Sequence, residues 1–162
     1  MADPLFRVGY GYDVHRMTSG RPLILGGVHI PFDRGPSGHS DADVLLHAII
    51  DAVLGAAALG DIGTHFPDTD PEYRDVDSML LLSETQRKVA AAGYAVVNVD
   101  ATVVLERPRL APFIEQMQTN VQDGLGVSKG LVSIKATTSE SLGFVGEGRG
   151  VVAHAVCLLR AQ

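Results

Sequence analysis

Asp13 and His15 stand two residues apart in a stretch whose side chains alternate, and His47 follows inside a long apolar run. One carboxylate and two imidazoles are the donor set of a divalent zinc ion that keeps a fourth position free for a substrate. The spacing matters because successive strand side chains point to opposite faces, so residues two apart share one. Gly9, Gly11, Asp13 and His15 fall on one face of such a strand, and Val8, Tyr10, Tyr12 and Val14 on the other. The face that ends in two ligands therefore begins with two glycines, leaving room for something to approach the backbone.

His47 alone would be read as a satisfied core histidine. It shares its helix face with Asp43 and Asp51, four residues either side, and a ligating imidazole gives its second N–H to an acceptor of that kind. With the D-x-H pair available, the metal reading becomes the better one, and Asp51 is the candidate partner. His39 and Ser40 lie just before the helix, where they can cap it or offer donors to a phosphate beside its N-terminus. Asp61, Asp68 and Asp70 are turn-formers by type, although Asp61 with Ile62 and Gly63 also offers a carboxylate and N–H groups to a polyol. Ala136, Thr137, Thr138, Ser139 and Glu140 end a strand with three hydroxyls and a carboxylate. Those groups suit strand-end capping, and equally suit phosphoryl oxygens with Glu140 on a hard cation such as Mg²⁺.

Positioning these groups takes a regular alternation of elements. Residues 5–15 read as a strand and 21–32 as a hairpin around Gly26 and Gly27. A loop over 33–41 leads to a helix over about 42–59, capped by Ser40 or Asp41 and apolar almost all round, hence buried. A carboxylate-rich loop precedes a helix over 77–92 that stops at Gly93. A strand over 94–106, a helix from the Pro108–Pro112 segment to about 124, a strand over 131–137, a glycine-rich stretch over 143–150 and a strand over 151–160 complete the pattern. Strands alternating with helices predict an α/β or α+β fold, with α+β the expectation adopted: a single-domain sandwich over 1–162 with one mainly mixed sheet covered by helices.

The bulk properties narrow the function. The chain has 162 residues, 46% of them hydrophobic and 20% charged, with a net charge of −6. Scattered basic residues on an acidic chain argue against a nucleic-acid partner. They also mean that handling phosphates requires bound cations. No apolar run is long enough for a membrane span, and the first residues, Met1 to Arg7, carry no signal or transit pattern. The single cysteine, Cys157, excludes an internal disulfide and sits in an apolar run as an inert thiol.

Seven segments, GYDVHR (11–16), GHSDADVLLHA (38–48), GAAALGDIG (55–63), FPDTDP (66–71), NVDATVV (98–104), RPRLAP (107–112) and KATTSESLGF (135–144), together closely resemble the 2-C-methyl-D-erythritol 2,4-cyclodiphosphate synthase family, in that family's order and over nearly the whole chain. The resemblance implies a homotrimer around a β-rich core, with active sites between neighbouring subunits. It implies a cyclising phosphorus–oxygen lyase of non-mevalonate isoprenoid precursor synthesis. In that reaction 4-diphosphocytidyl-2-C-methyl-D-erythritol 2-phosphate yields 2-C-methyl-D-erythritol 2,4-cyclodiphosphate and CMP. It places Zn²⁺ on Asp13, His15 and His47, with Val14 between them against the substrate, and Mg²⁺ or Mn²⁺ on Glu140 with the diphosphate. His39 and Ser40 fall beside the phosphates, His39 and Thr138 serving catalysis. Asp61, Ile62, Gly63, Phe66, Pro67, Asp68, Thr69 and Asp70 fall on the methylerythritol part. Leu105, Glu106, Arg107, Pro108, Arg109, Leu110 and Ala111 fall on the cytidine pocket, and Ala136, Thr137, Thr138, Ser139 and Glu140 on the nucleotide phosphates. Phe144 and Glu147 fall on a cavity along the trimer axis.

One departure concerns that cavity. The family commonly reads Gly-Arg-Gly-Glu-Gly where this chain has Gly146, Glu147, Gly148, Arg149 and Gly150. A carboxylate in place of the arginine predicts that isoprenoid diphosphates are not held there unless Arg149 takes the role; the exchange also allows a Glu–Arg pair between subunits with its polarity reversed. Two competing functions follow from the same residues: a metal-dependent phosphohydrolase, and a non-catalytic zinc-bound trimer sensing isoprenoid diphosphates. The retained set of ligands and hydroxyls disfavours the sensor. Docking with preceding pathway enzymes is a further implied partnership. The expected location is the bacterial cytoplasm rather than, after processing, the plastid stroma.

Overall fold

The structure is a computed structural model that describes residues 5–162. Residues 1–4 lie outside the described residues, and with them the start of the expected 1–162 domain and the first four of the seven residues read for a signal sequence. The first element, β1 (Phe6–Ser19), is longer than its alternation predicts, running on through Arg16 to Ser19. It pairs antiparallel with the last strand, β7 (Gly150–Ala161), in a register that sets Asp13 opposite Ala153 and His15 opposite Val151. β5 (Tyr94–Val104) lies antiparallel on the other side of β7, and β6 (Val132–Thr137) adds in parallel to β5. The hairpin strands β2 (Leu23–Leu25) and β3 (Val28–Ile30) form a separate ribbon, turning at Gly26 and Gly27, both at positive φ. The loop expected over 33–41 contains a short edge strand, β4 (Arg34–Pro36), paired with the end of β1. The main sheet thus has the mixed order β4-β1-β7-β5-β6.

Helices cover one face. α1 (Val44–Ala56) lies directly on β1 and β7, α3 (Ser78–Ala91) packs beside it and against β5, and α4 (Ile114–Leu125) packs against α3 and β6. Ten of its residues, from Val44 to Ala56, are buried, so α1 is a core helix, as its almost all-round apolar surface predicts. Two shorter helices, α2 (Ile62–His65) and α5 (Gly143–Gly146), close the loops after α1 and before β7. The opposite face of β1 carries Val8, Tyr10, Tyr12 and Val14, all exposed.

Two details differ from the sequence reading. The cap of α1 is Asp43, not Ser40 or Asp41, and the helix starts two residues later than expected. Asp43 is chosen because both its oxygens find donors: Oδ1 accepts from Leu46 N at 3.1 Å and Oδ2 from Gly27 N at 2.8 Å, tying the hairpin to the helix. The second detail concerns Gly9 and Gly11. The open space on their face is filled by α1 itself, so closely that a Cβ on Gly11 would lie 1.9 Å from the Ala48 carbonyl oxygen and one on Gly9 1.8 Å from that of Ala52. The glycines let helix backbone, not ligand, approach the strand.

Candidate functional site

That close approach brings α1 to β1, and with it His47 to Asp13 and His15. Asp13 Oδ2 lies 2.9 Å from His15 Nε2 and 3.0 Å from His47 Nδ1, and the two ring nitrogens are 3.3 Å apart. Zinc bonds of about 2.0–2.2 Å in tetrahedral geometry put donors roughly 3.3 Å from one another, so the cluster has the dimensions of a three-ligand site. The far ring nitrogens are also engaged. His15 Nδ1 lies 2.8 Å from the Ser37 carbonyl, and His47 Nε2 lies 3.1 Å from Ser78 Oγ and 3.2 Å from Ser40 Oγ. The donor types, their spacing and their outer partners all fit a divalent transition metal.

Electrostatics agree. Burial would raise the Asp13 carboxyl, but hydrogen bonds from His15 and His47 and their positive charge overcome it and hold the group well below the usual carboxylate range. Burial would lower His15, and the hydrogen bond and charge of Asp13 raise it instead. With the Asp13 carboxyl held ionised, the site is negative when its imidazoles are neutral, the condition a cation requires.

Asp51 does not partner His47. Its Oδ1 accepts from Ile62 N at 2.8 Å, joining α1 to the start of α2, and the sequence-based candidacy is corrected on that ground. The acceptors at His47 come instead from Ser40 and Ser78, which the sequence did not single out together. The loop over 36–40 is fixed by Arg21, whose guanidinium donates to the carbonyls of Pro36, Gly38 and Ser40. Arg21 was also missed, since a guanidinium spent on main-chain oxygens has no sequence signature.

A cavity of about 460 Å³ opens from the cluster and is lined by His15, His39, Ser40, His47, Ile62, Gly63, Phe66, Pro67 and Asp68, together with Tyr73, Val76 and Leu81. His39 Nε2 is buried without a partner, a donor or acceptor held in reserve at this wall. Ser40 is nearly buried, with Oγ also accepting from Ala42 N. Asp61 and Asp70 are outside the lining and cap α2 and the short turn at 71–73. Hydrogen bonds from Thr64 lower the exposed Asp61 carboxyl. Thr69 is exposed on the same loop.

A second cavity, about 250 Å³, is lined by Leu105, Glu106, Pro108, Arg109, Leu110, Ala111, Ile114, Ala136, Thr137 and Thr138. Arg107, joined to Pro108 by a cis peptide bond, lines two neighbouring hollows with Glu106. At its rim Thr138 Oγ1 donates to Glu140 Oε1 at 2.8 Å, and Glu106 accepts from Ser139 N and Ser141 Oγ. Glu140 and Ser141 both have positive φ, a conformation costly for non-glycine residues and typical of functional loops. The two cavities share no lining residue, so the metal cluster and the hydroxyl-rich loop occupy separate parts of one chain. Phe144 is exposed and packs against Gly150, while Glu147 pairs with Arg149 of the same chain, Nε to Oε2 2.5 Å.

A sequence profile of the YgbB family matches residues 6–160. The 2-C-methyl-D-erythritol 2,4-cyclodiphosphate synthase of Salinibacter ruber is 59% identical over 155 residues, 96% of this chain and 99% of its own length. Among solved structures, the bifunctional IspDF from Campylobacter jejuni matches with a TM-score of 0.93 at 40% identity, over 97% of this chain and 42% of that one. The CDP complex of IspF from Plasmodium falciparum matches with a TM-score of 0.85 at 31% identity, over 97% of both chains.

Proposed function

The chain belongs to the YgbB family, and from that premise we propose that it binds a cytidine diphosphate substrate between copies of itself and closes it into a ring. It is a cyclising phosphorus–oxygen lyase of non-mevalonate isoprenoid precursor synthesis. It converts 4-diphosphocytidyl-2-C-methyl-D-erythritol 2-phosphate to 2-C-methyl-D-erythritol 2,4-cyclodiphosphate and CMP. The observation that carries the reading is the Asp13, His15 and His47 cluster at the mouth of the 460 Å³ cavity.

In this reaction an oxygen of the 2-phosphate forms a bond to the β-phosphorus, and the bond from that phosphorus to the bridging oxygen breaks, leaving the electron pair on CMP. Nucleophile and leaving group both belong to the substrate, so the protein supplies position and charge rather than a covalent intermediate. Asp13, His15 and His47 would hold Zn²⁺, and Glu140 would hold Mg²⁺ or Mn²⁺ beside the nucleotide phosphates. Such ions supply charge neutralisation and a template for the two phosphates. His39 and Ser40 face the first cavity and direct donors toward the phosphoryl group that changes partners, with Thr138 adding another from the second loop. Ile62, Gly63, Phe66, Pro67 and Asp68 wall the methylerythritol part, with Asp61, Thr69 and Asp70 shaping the loops behind them. Leu105 to Ala111 take the cytosine and ribose, and Ala136 to Glu140 the phosphates.

Because the two cavities are separate on one chain, a complete site takes the metal half from one copy and the nucleotide half from the next, which supports a homotrimer. The exposed apolar face of β1, Val14 included, is the natural surface for that contact. The core is one continuous cluster from Met17 to Leu159, consistent with one domain over 1–162. A bacterial cytoplasmic location fits the relatives, and the bifunctional Campylobacter chain supports docking with a neighbouring pathway enzyme. Phosphorus NMR of the substrate with both metals tests the reading. Cyclic diphosphate and CMP should appear without inorganic phosphate, and His47→Ala should abolish both. Inorganic phosphate as the product would instead indicate a hydrolase.

A further inference from the structure

We propose that Ser78, held by Asp41, positions His47 by fixing which of its ring nitrogens faces the metal site. This rests on reading Asp13, His15 and His47 as metal ligands. His47 Nδ1 is the nitrogen that points into the cluster, 3.0 Å from Asp13 Oδ2, and Nε2 points away from it toward α3. A neutral imidazole has one N–H and one lone pair, so Nδ1 binds a cation only if the hydrogen sits on Nε2. The far side of the ring therefore needs an acceptor.

A serine hydroxyl does not make that choice by itself, because it donates or accepts with equal ease. Asp41 makes it for Ser78. Asp41 Oδ1 is 2.5 Å from Ser78 Oγ, and Oδ2 accepts from Ser78 N at 2.9 Å. A carboxylate accepts and does not donate, so the hydroxyl hydrogen is committed to Asp41, and Ser78 presents a lone pair to His47 Nε2. Ser78 is fully buried, so no water competes for the hydroxyl. Asp41 is itself anchored, its N–H donating to the Val76 carbonyl at 3.2 Å and its Oδ1 accepting from Asp43 N at 3.2 Å. Ser40, the other hydroxyl near Nε2, has no such commitment: it accepts from Ala42 N, and its hydrogen remains free to turn. His15 needs no comparable device, because the carbonyl of Ser37 can only accept.

Asp41 and Ser78 are thus positioning residues that act through His47, linking the N-terminus of α3 to a ligand on α1. The test uses the zinc-loaded protein, nitrogen NMR of His47 and zinc affinity by chelator competition. The wild type should coordinate through Nδ1 and show an exchange-protected Nε2–H. Ser78→Ala and Asp41→Asn should remove that protection and weaken zinc binding by about 10–100-fold, the usual effect of losing an outer partner of a metal ligand. Ser78→Thr, which keeps the hydroxyl, should restore both. Coordination of wild-type His47 through Nε2 would overturn the proposal whether or not any variant folds. So would wild-type zinc affinity in folded Ser78→Ala. If wild-type protein held zinc no more tightly than His47→Ala, the metal reading itself would fall, and this inference with it.

Discussion

Replacing Gly11 by alanine should open the metal cluster without touching any ligand. The new Cβ would sit 1.9 Å from the Ala48 carbonyl oxygen, 2.7 Å from Ala52 N and 2.9 Å from Ala48 C, all backbone atoms that no side-chain rotation can move. An ordinary carbon–oxygen contact needs at least about 3.3 Å, so α1 must retreat from β1 by roughly 1.4 Å. Asp13 and His15 are on β1 and His47 is on α1, so that retreat falls on the 3.0 and 3.3 Å separations across the cluster. Moved out to about 4.4–4.7 Å, the donors exceed the roughly 4.2 Å that two zinc bonds can span even in a straight line. Overpacking of this kind also costs about 1–3 kcal/mol of stability, or a fall in Tm of several degrees for a chain of this size. The assay is zinc affinity by chelator competition, with thermal unfolding followed by circular dichroism. Gly55→Ala, on the same helix, is the control: its Cβ meets nothing within 4 Å, so zinc binding should be unchanged and helix propensity should add up to ~1 kcal/mol. A Gly11→Ala protein with wild-type zinc affinity and Tm would refute the claim that contact between α1 and β1 sets the site.

Three further outcomes are expected. Cys157 Sγ is buried against the Ala52 carbonyl, and burial pushes its thiol up to about 12, so iodoacetamide at pH 8 should label it only after unfolding; rapid native labelling would contradict the packing described. Burial, opposed by bonds from Gly27 and Leu46, pushes the Asp43 carboxyl up to about 6 from an ordinary value of 3.8. The folded state therefore binds the extra proton, so this group's contribution to stability is greatest below pH 4 and is lost as pH rises to about 6. Urea unfolding of wild type and Asp43→Asn across that window should diverge accordingly, and parallel curves would refute the shift. Geranyl diphosphate should give no saturable rise in Tm, since Arg149 is already paired with Glu147 within the chain; a clear saturating rise would show that the pair opens for the ligand.

The D-x-H pair was legible because a strand has a period of two, and His47 because a polar residue inside an all-apolar helix needs a reason. What remained hidden depends on elements far apart in sequence. Ser40, Asp41 and Asp43 are equally good caps by type, and only the hairpin N–H of Gly27 settles the choice on Asp43. Ser78 sits ordinarily at the start of a helix, and nothing local reveals that α3 delivers it to His47. The glycines of β1 were correctly read as a place of close approach, but the approaching backbone was a helix of the same chain. The separation of the two cavities was equally invisible, because motif order says nothing of how far apart two segments lie in the fold.

The pairing of β1 with β7 also sets a timetable for the site. Among the described residues, β1 has from Phe6 to Arg16 no strand partner other than β7, the last strand of the sheet in chain order. Asp13 and His15 emerge early in synthesis and α1 and β4 follow soon after, yet the strand pairing across Phe6–Arg16 waits for Gly150–Ala161, on the order of ten seconds later at ~5–20 residues per second. Contacts of such sequence separation form slowly. Completion of the Asp13, His15 and His47 cluster is therefore a late event in biogenesis, and a ribosome-bound chain lacking β7 should hold zinc less tightly than the full chain.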